Sequence, residues 1–209
     1  MKTAAPTSVN AAPFDRHSIA ARLRAARDLP IEDGRLSMTE DEIGLSTHAA
    51  VLVPLVDRPG GLTVLLTRRT DHLNDHAGQI SFPGGRIETT DATPEEAALR
   101  ETEEEIGLHR RHVQLLGSLP DYLIPTGFRV TPVVGWVEPP FELALDEFEV
   151  AEAFEVPLAF VLNPEKREKQ SAMRGGKLRH FYAMPFERHN IWGATAGMLV
   201  TLSRFLVDD

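Results

Sequence analysis

Glu101, Glu104 and Glu105 stand at spacings that bring their side chains into one narrow sector of a helix, since each residue turns it by about 100°. Glu103 points elsewhere. Like charges four residues apart, as at Glu101 and Glu105, cost a helix a few tenths of a kcal/mol, roughly 0.2–0.5. Three carboxylates on one partly buried spot cost more, unless a cation lies between them. Hard dications prefer oxygen ligands, and Mg²⁺ completes a few carboxylates with water and substrate phosphates. Such a cluster suits metal-assisted displacement at phosphorus. The plain alternative is a solvated acidic helix face. The Gly84-Gly85 turn upstream and the lone Arg100 beside the acids weigh against it.

The element that must position these acids is a helix predicted from about Pro94 to Ile106. Thr93 can cap its N-terminus, Pro94 fits the first helical position and Glu96 completes a capping box. Gly107 supplies a left-handed C-terminal cap. Ala97, Ala98 and Ile106 give the helix an apolar side to bury.

Arg100-Glu101-Thr102-Glu103-Glu104-Glu105-Ile106-Gly107-Leu108, behind the Gly-Gly turn, resembles the signature box of the Nudix hydrolases. The upstream run Leu65 to Thr70, followed by Gly78 to Gly85, is similar to the extra motif of the coenzyme A pyrophosphatase branch. Three departures stand out. The stretch from Gly85 to Arg100 is one residue longer than the general pattern, which leaves Glu88 and Asp91 as alternatives for the first acidic position. Thr102 replaces the usual aliphatic residue. Asn74 stands where the coenzyme A motif has an arginine, and Thr70 where it has a smaller residue.

The resemblance implies an α+β fold, an α/β/α sandwich with a mixed sheet flanked by helices. It implies hydrolysis of the diphosphate of coenzyme A or acyl-CoA to 3′,5′-ADP and a 4′-phosphopantetheine product. Glu101, Glu104 and Glu105 would hold Mg²⁺ or Mn²⁺, with Arg100 orienting a box carboxylate; Glu104 and Glu96 are its nearest options. Glu149, or Glu147 beside it, would supply a fourth carboxylate for a second metal or for the water's proton. Gly84 and Gly85 would let backbone approach metal and phosphates, and Arg68, Arg69, His72 and His76 would form a cationic patch for the substrate. Alternatives are another nucleoside diphosphate derivative as substrate (ADP-ribose, a dinucleotide polyphosphate, a nucleoside triphosphate) and a noncatalytic nucleotide-binding module. Retention of all three box glutamates counts against the last.

The 209 residues, 42% of them hydrophobic, suffice for one core, so a single domain is expected over residues 15–209 behind a disordered tail at 1–14. With no cysteine, thiolate catalysis and cysteine-ligated metals are excluded. No His-x-His or His-Glu-x-x-His spacing points to zinc, and Ser81 lacks the Gly-x-Ser-x-Gly setting of a nucleophile. No apolar run approaches the roughly 20 residues that span a bilayer, so no membrane partner is expected and a cytoplasmic location is. A net charge of −9 argues against nucleic acid as partner and calls for bound metal between protein and phosphate, while the small nucleotide partner, coenzyme A-like, is what the resemblance implies. A homodimer is compatible with all of this.

Elsewhere the pattern predicts an amphipathic helix over Arg16 to Asp28 and an irregular connection over Pro30 to Leu45. Strands follow at Ala49–Val56 and Leu62–Thr67, around the turn Pro59-Gly60-Gly61. Further strands are expected at Val113–Leu119 and Arg129–Val137. Pro54 suggests an edge or a bulge, and Pro132 an irregular or edge position. Trp136 is expected in the core. Pro139 to Glu149 reads as an acidic loop, and Lys169 to Met184 as a hairpin flap offering Arg174, Lys177, Arg179 and His180 to anions. The last helix, Ala194 to Leu206, should pack the core.

Overall fold

The computed structural model describes residues 14–25, 46–72, 77–124, 127–174 and 177–207. An eight-stranded mixed sheet carries helices on both faces, as an α+β sandwich. Its spine runs β3 (Ile80–Ser81), β2 (Gly61–Arg69), β1 (Thr47–Arg58), β7 (Phe128–Val137), β5 (Val113–Ser118). Three strands pair alongside it: β4 (Gly84–Arg86) with β1, β6 (Tyr122–Ile124) with β7, and β8 (Val150–Pro157) with β2. β1 and β7 run parallel, and every other pair in this sheet is antiparallel.

Alternation along β1 explains why it reads as almost continuously apolar. Ala50, Leu52 and Val56 face one cluster with Ala97, Ala98 and Ile106 of helix α2 (Pro94–Ile106). Ala49, Val53 and Leu55 face the other, filled from α1 (Arg16–Ala25), α3 (Leu158–Leu162) and α4 (Gly193–Leu206). The strand is covered on both sides, so period two brings no polar face. Trp136 lies in the second cluster at 5% exposure, a core residue.

Of the alternatives open for Pro54 and Pro132, an edge position is ruled out. Both lie in central strands, each at a change of partner. β1 pairs with β4 up to Val51 and with β2 from Leu55, so the donor that Pro54 lacks falls in the gap. β7 likewise passes from β6, whose pairing ends at Val130, to β5, whose pairing begins at Val133.

Asp15 caps α1 by accepting from the N–H of His17 and Ser18, both at 2.8 Å. Phe14, placed in the tail by the sequence pattern, packs against the core instead. The remainder of that tail, residues 26–28 of the first helix and the 30–45 connection lie outside the described residues. The flap is found as β9 (Glu168–Arg174) and β10 (Lys177–Phe186), joined by β11 (His189–Trp192) into a second sheet. β10 packs on α4, across the main sheet from α2. Of the basic side chains expected there, His180 meets Ser171, with Nδ1 2.7 Å from Oγ.

Candidate active site

Helix α2 begins and ends where its sequence requires. Thr93 Oγ1 accepts from Glu96 N–H at 3.2 Å, and Gly107 closes the C-terminus with φ 68° while its N–H donates to Glu103 O. The capping box is displaced, because Glu96 takes the N–H of Ala92, one residue ahead of the cap, at 2.8 Å. Glu96 is therefore spent on the cap, and Arg100 serves other partners.

Arg100 is the hub. Its Nη1 donates to Glu104 Oε2 at 2.9 Å and to Glu101 Oε1 at 3.0 Å. Its Nε and Nη2 grip Asp91 bidentately at 3.0 and 2.9 Å, and Nη2 also reaches Arg86 O at 3.2 Å. Between the two acids left open by the spacing, Asp91 is thus the one on the arginine, whereas Glu88 is exposed. The bond from Arg100 holds the Asp91 carboxyl below its ordinary range.

Glu105 lies deepest, at 6% exposure, and accepts the N–H of Gly84 at 3.0 Å. Burial pushes its carboxyl up to about 7, helped by Glu149 and Glu101 and opposed by the Gly84 bond and Arg69. Glu101 is raised too, first by burial, with Arg100 opposing and Glu104 and Glu149 adding to it. Gly85 leaves room for Glu101: a Cβ there would stand 2.5 Å from its carboxylate oxygen Oε2. Gly84 answers to the sheet, because a Cβ would press into Ala50 and Val51 of β1.

The fourth carboxylate arrives from the segment after β7. That segment is no mere solvated loop: Phe141, Leu143 and Leu145 pack on the α2 side of the core. Ala144 N–H donates to Ile106 O and Asp146 N–H to Glu105 O, both at 2.9 Å, so the loop rides on the end of α2. Arg69 then spans the gap, with Nη1 3.6 Å from Glu105 Oε1 and Nη2 3.6 Å from Glu149 Oε2. Glu147 is exposed on the preceding turn. Thr70, a departure in the upstream motif, fastens the same loop. Its Oγ1 donates to Phe148 O at 2.7 Å and its N–H to Glu149 O at 3.0 Å. Thr102, the departure within the box, is fully buried and donates its hydroxyl to Ala98 O at 2.6 Å, so the helix itself satisfies it.

The expected cationic patch is divided. Arg69 faces the box, but Arg68 lies on the opposite face of the sheet, with Nη1 3.1 Å from Asp71 Oδ1 and Nε 4.0 Å from Glu152 Oε2. Successive strand residues point to opposite faces, so two adjacent arginines there do not converge. His72 sits edge-on against Phe148, ring centres 4.9 Å apart, and His76 lies outside the described residues. Around Glu152 gather Arg188 and His189, the latter stacked on Phe154 at 3.7 Å. No local pattern in the sequence announces this second cluster, whose members lie on β2, β8, the turn before β11 and the first residue of β11.

A family model for the NUDIX domain matches residues 46–173. The chain belongs to the Nudix hydrolase family. It is 39% identical over 184 residues to the uncharacterized Nudix hydrolase NudL of Escherichia coli K12, an alignment covering 85% of this chain and 95% of NudL. Among solved structures it is similar to the Nudix hydrolase RenU of M. smegmatis, with TM-score 0.47 and 25% identity, covering 55% of this chain and 72% of that one. A C. elegans Ap4A hydrolase matches with TM-score 0.47 and 20% identity, covering 53% of this chain and 80% of that one.

Among the described residues, no three acidic or imidazole groups are drawn in to the spacing of a formed metal shell. Arg100 and Arg69 stand between the carboxylates instead. The donor chemistry still fits a hard dication, since Glu101, Glu104, Glu105 and Glu149 offer carboxylate oxygens and the carboxyls of Glu101 and Glu105 are raised by burial and by neighbouring acids. Arg69 Nε is buried without a hydrogen-bond partner, while its Nη atoms face Glu105 and Glu149.

Proposed function

We propose that this Nudix hydrolase cleaves the diphosphate of coenzyme A or acyl-CoA, using Mg²⁺ or Mn²⁺, to 3′,5′-ADP and 4′-phosphopantetheine or its acyl derivative. Glu101, Glu104 and Glu105 would hold the metal, which when bound supplies charge against phosphate oxygens and an acidified water. Arg100 sets the angle of Glu104 and Glu101, and Asp91 fixes Arg100 in turn. Glu149 is the favoured fourth carboxylate, for a second metal or for the proton of the attacking water. Arg69, whose Nη1 and Nη2 stand 3.6 Å from Glu105 and Glu149, would supply positive charge beside the diphosphate.

The observation that carries this reading is the joining of two motifs in one place. Arg69 and Thr70, from the run that resembles the coenzyme A motif, reach Glu105 and hold the Glu149 loop. Thr70 is buried and bonded there, so its departure from that motif does not open the site. Side-by-side turnover on coenzyme A, ADP-ribose and a nucleoside triphosphate tests the substrate. Coenzyme A should be preferred by the largest kcat/KM.

A second reading keeps the chemistry and changes the leaving portion, to ADP-ribose, a dinucleotide polyphosphate or a nucleoside triphosphate. Asn74, where the coenzyme A motif carries arginine, is what favours it; this residue lies outside those described. Preference for any of these in the same panel would replace the first reading.

A further inference from the structure

Phe148 is the most exposed aromatic ring beside the carboxylate cluster, at 65% exposure. A solitary exposed apolar residue needs no explanation in itself. This one differs in how it is held. Its N–H donates to Asp146 Oδ1 at 2.9 Å, and its carbonyl accepts the buried Thr70 hydroxyl at 2.7 Å. The neighbouring Glu149 carbonyl takes the Thr70 N–H at 3.0 Å, and Glu149 N–H closes on Asp146 O at 3.0 Å. The backbone under the ring is therefore pinned from both sides, while the ring meets His72 edge-on at an interplanar angle of 60°. An edge contact of that kind leaves ring face uncovered. A flat, fixed, uncovered aromatic surface stands one residue from Glu149, which Arg69 ties to Glu105.

We infer that Phe148, braced by His72, is a stacking platform for the nucleobase of the substrate whose diphosphate lies at the Glu101–Glu105 cluster. This rests on the reading of that cluster as a diphosphate site. The acids around Phe148, namely Asp146, Glu147 and Glu149, repel further phosphate and leave a neutral planar base as the fitting occupant. Every base has a π-face, and stacking on a fixed ring loses little entropy.

Equilibrium binding of ADP and of inorganic pyrophosphate, both in Mg²⁺, separates this inference from the hydrolytic reading. Phe148→Ala should weaken ADP roughly tenfold or more while pyrophosphate weakens far less, so the ratio of the two Kd values moves. Phe148→Trp should restore the ratio, and Phe148→Leu, apolar but without a π-face, should not. Thermal melts of the three variants should match wild type, because the ring is mostly in water. Equal loss for both ligands, no loss for either, or rescue by leucine would overturn the platform. Wild-type protein that binds ADP with this pattern yet hydrolyses no diphosphate would instead overturn the proposed activity.

Discussion

At the scale of single residues, Glu105 makes the sharpest demand on its surroundings. Its carboxyl is held near 7 against an ordinary value near 4.5, and burial is the main cause. Between those values the folded protein keeps a proton that the unfolded chain has released. Without metal, stability therefore falls as pH rises from about 4.5 to about 7, and stays lower above that window. Glu105→Gln removes the titration and keeps an oxygen for the Gly84 N–H. In chelator, its melting temperature should pull ahead of wild type across the window and coincide with it in relative terms below. Mg²⁺ should raise wild type, and not the variant, at pH 8. Parallel pH profiles for the two proteins would show that Glu105 ionises without strain.

Much of the residue scale was legible in the chain. Arg100, Glu101 and Glu104 lie within one helical turn and a half, so local periodicity sufficed to bring these three together, whereas Gly84 and Arg69, the partners of Glu105, come from elsewhere in the chain. Choosing Asp91 over Glu88 needed the path of the loop, since both precede the helix at workable distances. Arg68 stands apart from Arg69, because a strand turns neighbours to opposite faces and adjacency in sequence is not adjacency in space.

At the scale of elements, the site is an agreement between the end of β2 and the segment leading into β8. The predicted helix boundaries at Pro94 and Ile106 stand as expected, because caps are local chemistry. The short strands β3, β4 and β6, and the packing of the acidic loop, were not legible, because they depend on partners far along the chain. Thr70 is the joint between the two parts. Thr70→Val keeps the shape and deletes the bond to Phe148 O, leaving that carbonyl short of its partner. Stability should fall by about 1 kcal/mol, turnover should fall with it, and Thr70→Ser should restore both. Chemical denaturation and steady-state kinetics on one preparation check this. Full activity in the valine variant would mean that Glu149 is positioned without Thr70.

For the whole molecule, the sheet separates two charged clusters, with the box acids on the α2 side and Glu152 with Arg68, Arg188 and His189 on the other. Helix α2 covers one face with charge at its rim, while α1, α3 and α4 cover the other with apolar side chains. None of the described helices is long and apolar enough to cross a membrane. The net charge of −9 sets the protein against an anionic substrate unless a dication mediates. The most direct test of that mediation is turnover of a diphosphate substrate in Mg²⁺ by wild type and by Glu104→Gln, with products weighed by mass spectrometry. Wild type should split the diphosphate so that each fragment keeps one phosphate of it (from coenzyme A, 3′,5′-ADP and 4′-phosphopantetheine), while the variant loses orders of magnitude in kcat with unchanged folding by circular dichroism. Wild-type rates from a well-folded Glu104→Gln protein, or undiminished turnover in chelator, would contradict that mediation.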